Sequence, residues 1–374
     1  MRKIWAAALG VLAVGVLAAV ALAPLAAPAR AEDKGTLNIY NWNDYIDPKT
    51  LERFTAETGI KVRYDVYDTN ETLDAKLRAG NSGYDLVVPT ASPFLANQIP
   101  ADLYRPLDKT KLKNYGNLDP TLMKQLAKYD PGNRHAIPWM WGTTGLGYNV
   151  QRIKAIMPDA PTNSLRMLLD PAVIAKFKEC GVLVLDSPTD VIPAVLAYLG
   201  RDPDSHSDED LEAATRALVA IRPYVRKWHS SEYINDLANG DACLAFGFSG
   251  DIKQAAKRAE DAKKPYKVDY AIPAEGAQVW IDTWAIPADA PHIEAAYKFL
   301  DFVLRPDIAA LNSNFIGYAN AVPASKAKLD PSVRDDPTVY PPDELRERFY
   351  TLTPPDRAYE RKRTRAWTRV TTGQ

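Results

Sequence analysis

The sequence is poor in the residues that build metal centres and nucleic-acid surfaces. Its 374 residues include two cysteines and four histidines, and none of the histidines has zinc-ligand spacing to a cysteine. The formal net charge is −1, so the chain lacks the basic excess that neutralises phosphates in a nucleic-acid-binding protein. We therefore expect no metal ion, no cofactor and no nucleic-acid partner.

Three common enzyme motifs are also missing. The sequence has no Ser-centred nucleophile elbow, no glycine-rich phosphate loop and no helical histidine pair for zinc. It has no internal repeat and no low-complexity linker either. The composition, 46% hydrophobic and 25% charged, is typical of a folded, soluble protein, and the length predicts two domains. These observations favour a protein that is not an enzyme, although an enzyme with paired carboxylates remains an alternative.

One long hydrophobic run stands at the start of the chain. Two basic residues precede an Ala, Val and Leu run over 4–23, and Ala29 and Ala31 supply the small side chains of a signal-peptidase site. Residues 1–31 therefore predict a cleavable signal peptide and a secreted protein. An uncleaved membrane anchor is the alternative, because the run is long enough to span a bilayer.

The two cysteines are Cys180 and Cys243. In an exported chain such a pair predicts a disulfide. Closing a loop of this size stabilises the fold by roughly 4 kcal/mol in the chain-entropy model. Two buried free thiols are the alternative.

The segment over 36–95 alternates strand and helix patterns. Alternating apolar residues indicate the strands, and Asp-Pro starts and Gly stops indicate the helices. This order predicts a parallel, doubly wound sheet. The pattern predicts strands over 37–40, 61–67 and 84–88 and helices over 48–58 and 72–79.

The middle of the chain repeats this order and places aspartates after strands. Strand patterns over 181–185 and 242–248 lead to Asp190 and Asp251, and a third strand-like run contains Asp282. In open α/β sheets, ligands bind beyond the carboxyl ends of strands, where the loops converge. The loop over 41–45, with its two aromatic rings and one carboxylate, follows the first strand in the same way. We therefore expect these loops to form one site.

Carboxylates and aromatic rings together suit a diamine or triamine. Each ammonium needs charged acceptors, and the methylenes between need apolar walls that aromatic faces provide. Taken singly, Asp251 also fits a helix N-cap, Asp190 is ambiguous, and Trp280 or Trp284 fits the core. Residues with the required chemistry are Asp44, Asp190, Asp251 and Asp282, with Trp42, Tyr45, Phe248, Trp280 and Tyr318.

Several motifs along the chain resemble the periplasmic polyamine-binding proteins of bacterial ABC importers, in particular the putrescine-binding branch. The resemblance implies an α/β fold of type II with two lobes, each a doubly wound and mostly parallel sheet, and a ligand cleft between them. The matching stretches are Tyr40–Tyr45, Gly83–Pro89, Trp141–Gly145, Tyr233–Asp241, Tyr318–Ala321 and Arg363–Thr368.

The resemblance also implies a domain organisation and a function. The first lobe would comprise 32–141 plus 281–335, and the second lobe 142–280 plus 336–374. The protein would capture putrescine, or spermidine, in the periplasm and deliver it as a monomer to an inner-membrane permease. Two alternatives remain, namely a polyamine sensor and a protein of the same fold for another cationic or small solute.

Carried over position by position, the resemblance implies a ligand site and pairs the two cysteines. Asp44 and Asp282 would contact one ammonium, and Asp190 and Asp251 the other. The sequence departs from the putrescine-binding branch at Asn43, Thr90, Asp190 and Phe248, where that branch has Ser, Ser, Glu and Trp, so the length of the ligand stays open. The implied ligand residues are Trp42, Asn43, Asp44, Tyr45, Thr90, Asp190, Phe248, Asp251, Trp280, Asp282 and Tyr318.

Overall fold

The computed structural model describes residues 35–373, and the predicted signal peptide over 1–31 lies outside them. None of the helices in this part is long and apolar enough to cross a bilayer. The elements up to the first long strand are β1 (Thr36–Trp42), α1 (Pro48–Thr58), β2 (Lys61–Tyr67), α2 (Asn70–Arg78), β3 (Leu86–Val87), α3 (Ala96–Gln98), α4 (Pro120–Leu126) and β4 (Ala136–Asn149).

The middle of the chain is mainly helical around three short parallel strands. Its elements are α5 (Val150–Ile156), α6 (Arg166–Leu169), α7 (Pro171–Ile174), β5 (Val182–Val184), α8 (Pro188–Tyr198), α9 (Asp208–Ile221), β6 (Lys227–Trp228), α10 (Tyr233–Asn239), β7 (Leu244–Phe248), α11 (Ser249–Asp261) and β8 (Val268–Ala271).

The last third begins with a second long strand. Its elements are β9 (Ala277–Ala285), α12 (Ile293–Val303), α13 (Pro306–Ile316), β10 (Ala319–Asn320), α14 (Pro331–Arg334), α15 (Asp343–Arg346), β11 (Phe349–Tyr350) and α16 (Arg357–Thr372).

Helix α1 shows how the local sequence sets an element's bounds. The carboxylate of Asp47 accepts a hydrogen bond from the backbone N–H of Lys49, and Pro48 occupies the first helical position. Gly59 ends the helix in the left-handed region, at φ 74°, where glycine carries no steric penalty. The predicted helix over 48–58 is confirmed.

Each half of the structure contains a group of parallel strands, and the two groups lie toward opposite ends of the sheet. Strand β1 pairs in parallel with β2 and β3, and β5 pairs in parallel with β6 and β7. The predicted strand over 61–67 is confirmed, but Val66 is 47% exposed, because β2 lies at the edge of the sheet.

Two long strands join these halves. Strand β4 pairs antiparallel with β9, and further along it pairs antiparallel with β7 and β8. The sheet order is therefore β2-β1-β3-β9-β4-β7-β5-β6. Strands β4 and β9 lie side by side and both run from one half of the structure to the other. We call the place where they do so their crossing, and residues near it face both halves.

The buried side chains form two large cores. The first core draws its residues from 37–140 and 280–322, and the second from 146–270 and 359–370. Each core covers one group of parallel strands with helices, as expected for an α/β protein. The exact lobe boundaries given above stay a prediction.

A disulfide joins Cys180 to Cys243, as predicted. The two residues precede β5 and β7, which pair so that Val182 lies opposite Leu244. This register brings the cysteine Cα atoms to 5.6 Å, a separation at which a disulfide forms. The bridge therefore links two neighbouring strand starts in the second core.

Candidate ligand-binding site

A cavity lies where the two cores meet, beside the crossing of β4 and β9. It encloses about 610 Å³ of space, including the part open to solvent. Ten of the eleven implied ligand residues line it, and the exception is Asp44. The ten are Trp42, Asn43, Tyr45, Thr90, Asp190, Phe248, Asp251, Trp280, Asp282 and Tyr318.

Asp282 is the cavity carboxylate of the first half. It lies on β9 and is 5% exposed. The hydroxyl of Tyr45 donates to one of its oxygens at 2.8 Å, and that of Thr90 donates to the other at 2.6 Å. Burial is the main reason that the pKa of Asp282 is raised to about 7, and the negative charges of Asp190 and Asp251 raise it further, whereas the two hydrogen bonds lower it. Ionising this buried carboxylate therefore costs free energy, and a cation in the cavity would offset that cost.

Asp251 stands in the first turn of α11, directly after β7. The hydroxyls of Tyr233 and Tyr318 each donate to it at 2.6 Å. Tyr233 belongs to the second core and Tyr318 to the first, so one carboxylate connects both. A Cβ at Gly250 would lie 2.4 Å from the Tyr318 ring, so this position needs glycine.

The alternative that Asp251 caps its helix is not seen, because its carboxylate oxygens accept from these phenols. The residue at the N-cap position of α11 is Phe248, and no side chain caps the helix there. Burial raises the pKa of Asp251 to about 6, although both phenols lower it. Asp251 is thus a buried acid that is oriented by hydroxyl groups.

Asp190 lies in the first turn of α8, in the second half. Ser187 donates to it at 2.5 Å and Thr144 at 3.3 Å. Burial raises the pKa of this carboxyl to about 6, and the two hydroxyls oppose the shift. All three of these acids are therefore held by side-chain hydroxyls.

Aromatic rings form a belt between these carboxylates. Phe248 lies edge-on to Trp42 and to Trp280, with ring centroids 6.4 and 5.7 Å apart. Tyr318 continues the belt, at 5.3 Å from Trp280 and 5.2 Å from Tyr45. Such a belt covers methylene groups and presents ring faces to a cation. Trp284, by contrast, is a core residue with 0% exposure.

Asp44 is placed at the edge of the cavity rather than in its wall. One of its carboxylate oxygens lies 2.9 Å from the guanidinium of Arg258, and its backbone carbonyl accepts from Gln254 at 3.2 Å. Both partners belong to α11, on the other side of the cavity from β1. The charge of Asp44 is thus paired within the protein, so it joins the two halves instead of lining the cavity.

Sequence reasoning missed ten of the lining residues. Asp68 could have been found, because it follows β2 as Asp44 follows β1. Gln278 could also have been found, because it shares the alternating face of β9 with Trp280 and Asp282. The ten are Tyr67, Asp68, Asn70, Ser92, Pro93, Phe94, Thr189, Ser230, Ser231 and Gln278.

The cavity has a one-sided charge. Its wall contains four aspartates, and no lysine, arginine or histidine lines it in the part of the chain that the structure describes. Within the same residues, no group of His, Cys, Asp or Glu has an arrangement that could hold a metal ion. The acids are therefore arranged around a space that suits an organic cation.

Comparison with known proteins agrees with this geometry. A family model described as bacterial extracellular solute-binding protein matches residues 49–341. The putrescine-binding periplasmic protein of Escherichia coli (strain K12) is 48% identical over 376 residues, which cover 100% of this chain and 99% of that protein. The putrescine-binding periplasmic protein of Pseudomonas aeruginosa (strain UCBPP-PA14) is 49% identical over 351 residues, or 94% and 95% of the two chains.

Solved structures give the same assignment of fold. An ABC transporter structure from Listeria monocytogenes has a TM-score of 0.81 at 29% identity, covering 91% of this chain and 99% of that one. The spermidine/putrescine ABC transporter substrate-binding protein of Streptococcus pneumoniae has a TM-score of 0.72 at 27% identity, covering 90% and 99%. The predicted two-lobed, type II periplasmic binding protein fold is confirmed. The chain belongs to the bacterial extracellular solute-binding proteins, which bind solutes and are not enzymes.

Proposed function

We propose that this protein captures a small aliphatic polyamine, putrescine first and spermidine second, in the periplasm. It then delivers the ligand to an inner-membrane ABC permease and works as a monomer. The observation that carries the proposal is the cavity itself, where aspartates and a belt of aromatic rings meet and no cationic side chain from residues 35–373 lines the wall. The names of the relatives from Escherichia coli and Pseudomonas aeruginosa support putrescine as the first ligand to test.

In the proposed complex, the two ammonium groups bind different carboxylates. Asp282, held by Tyr45 and Thr90, takes one ammonium, and Asp251 with Asp190 takes the other. The rings of the belt cover the methylenes. A charge-assisted hydrogen bond contributes about 1.5–3 kcal/mol and each buried methylene about 0.8 kcal/mol, which is enough for micromolar affinity after ordering costs.

Ligand capture would close the two lobes over the cavity. The first lobe is 32–141 plus 281–335, and the second is 142–280 plus 336–374. Carboxylates from both lobes surround the ligand only in the closed form, so binding favours closure. The ion pair of Asp44 with Arg258 would close the edge of the same cavity.

Calorimetric titration tests the proposal directly. Putrescine should bind with micromolar or tighter affinity, and 1,4-butanediol, which has the same chain length but no charge, should not bind. 4-Aminobutanoate, in which a carboxylate replaces one terminal aminomethyl group of putrescine, should bind at least 100-fold more weakly, because the acidic wall repels the carboxylate. Equal affinity for putrescine and 1,4-butanediol would rule out the cation site.

A further inference from the structure

Two polar side chains in the cavity wall have unpaired atoms. Gln278 is 5% exposed and Ser230 is 6% exposed, and both line the cavity. The side-chain oxygen of each has no hydrogen-bond partner among residues 35–373. A buried acceptor without a partner costs about 1–3 kcal/mol. The indole N–H of Trp280 is unpaired too, but it is a donor and offers nothing to an ammonium.

Gln278 shares one face of a strand with two other cavity residues. Gln278, Trp280 and Asp282 alternate along β9, so their side chains point to the same side. At about 3.3 Å per residue, the Cα atoms of Gln278 and Asp282 are about 13 Å apart. A carboxylate, a ring and a neutral amide thus follow each other in a line along the cavity wall.

Gln278 stands at the opposite end of this line from Asp282. Helix α8, which carries Asp190, packs against β9, and Asp190 and Gln278 line the same cavity. The amide therefore adds a neutral acceptor to a wall that also holds the carboxylates.

Ligand length decides whether Gln278 is used. With bonds of about 1.5 Å, the two nitrogens of an extended four-carbon diamine are about 6 Å apart. The terminal nitrogens of a spermidine-type triamine are about 11 Å apart by the same bond geometry. A diamine held at Asp282 therefore covers about half of the line, whereas a longer ligand reaches the amide.

We propose that Gln278, assisted by Ser230, is a specificity-determining residue that accepts a hydrogen bond from a nitrogen beyond the reach of a four-carbon diamine. The ligand class it favours carries additional N–H donors, either the third amine of a triamine or a guanidinium group. This inference rests on the proposed function, since it assigns the selectivity of the same cavity. A neutral acceptor suits such a donor because it adds a hydrogen bond without a further negative charge.

Substitution by an unbranched apolar side chain of similar size tests the role of the amide. Gln278→Met should weaken binding of spermidine or agmatine at least fivefold and leave putrescine within twofold of the wild type. A loss for spermidine alone assigns the third amine as the donor, and a loss for agmatine alone assigns the guanidinium group. Equal losses for all three ligands, or no loss for any, would overturn the proposal.

Two further measurements separate recognition from folding. Removing an unpaired buried amide should leave the Tm of the ligand-free protein unchanged or higher, whereas a structural role would lower it. Ser230→Ala should produce a smaller selective loss of the same kind, and it serves if Gln278→Met does not fold. Gln125→Met, on α4 outside the cavity, is the matched control.

The wild-type titration distinguishes the two proposals. If the wild-type protein binds no polyamine, the proposed function fails. The other case is that the wild-type protein binds putrescine, spermidine and agmatine, as proposed. If Gln278→Met then leaves the affinities for spermidine and agmatine unchanged relative to the affinity for putrescine, only the present inference fails.

Discussion

Asp85 and Asp282 are both nearly inaccessible, at 0% and 5% exposure, yet their partners differ in kind. Asp85 accepts from the backbone N–H groups of Asn38 and His292, at 2.7 and 2.6 Å, and lies 3.0 Å from the His292 imidazole. Asp282 accepts from two side-chain hydroxyls. Asp85 is tied into the backbone, whereas hydroxyls orient Asp282 and leave its charge for a ligand.

The same contrast appears elsewhere in the molecule. Asp130 accepts from the backbone N–H groups of His135 and Ala136, and its other oxygen faces the His135 ring at 2.9 Å. Asp251 and Asp190 have hydroxyl partners instead. Burial alone therefore does not separate the structural aspartates from those that line the cavity, but the chemistry of their hydrogen-bond donors does.

Asp282→Asn should have the largest effect on binding. Loss of the charge removes a charge-assisted hydrogen bond worth about 1.5–3 kcal/mol, so putrescine should bind about 10- to 100-fold more weakly. Calorimetric titration measures this. The ligand-free protein should unfold at the same temperature or higher, since no buried charge remains there. Unchanged affinity would contradict the assignment of Asp282.

Asp85→Asn is the matched substitution at a structural carboxylate. It breaks a buried network of backbone and imidazole donors, so the free energy of unfolding should fall by about 2 kcal/mol. Urea unfolding measures this loss. Putrescine affinity should stay within twofold of the wild type. A tenfold loss of affinity would mean that Asp85 also contributes to binding, and that the type of hydrogen-bond donor does not distinguish it from Asp282.

The pH dependence should follow the cavity acids. Burial raises the pKa of Asp282 to about 7 and that of Asp251 to about 6, above the unfolded value of about 3.9. The folded, ligand-free protein thus binds more protons than the unfolded chain, and its stability should fall as pH rises from about 4 to 7. Thermal unfolding without ligand across that range measures this trend.

Polyamine binding should show the opposite trend. A dication favours ionised carboxylates, so putrescine affinity should rise about tenfold between pH 5.5 and 7.5, with release of protons. Titration at pH 6 in two buffers of different ionisation enthalpy counts these protons. Affinity that stays flat over this range would mean that the acids are already ionised without ligand.

Tyr233→Phe should have the smallest effect. It removes one of the two phenols that orient Asp251, but the phenol of Tyr318 remains. We expect about a fivefold loss of putrescine affinity, corresponding to about 1 kcal/mol for one hydrogen bond. The same titration measures it. Tyr266→Phe, whose phenol donates to the backbone carbonyl of Ala238, is the control and should not change affinity.

Elements with strong local signals could be predicted from the sequence. The helix over 48–58 has a capping aspartate, a proline and a terminal glycine, and the structure has it with the same bounds. The position of Asp251 between a strand and a helix followed from the same patterns. Strand β3 is shorter than predicted, at Leu86–Val87.

The contacts between distant parts of the chain could not be predicted from local patterns. Asp44 and Arg258 are far apart in sequence, and nothing around either residue indicates that they pair. The same holds for the crossing of β4 and β9, which depends on which strands become neighbours. Gln278 was overlooked because a glutamine in a strand carries no signal by itself, although its alternation with Trp280 and Asp282 indicates that the three share one face.

The aromatic belt gives the protein its own optical signal. Trp42 and Trp280 line the cavity, where a bound ammonium would change the electric field at both indoles. Trp284 and Trp139 are buried in the first core and should contribute a constant background. Emission of the unlabelled protein should therefore report ligand capture in real time, and replacing Trp280 by phenylalanine would show how much of the signal comes from that one ring.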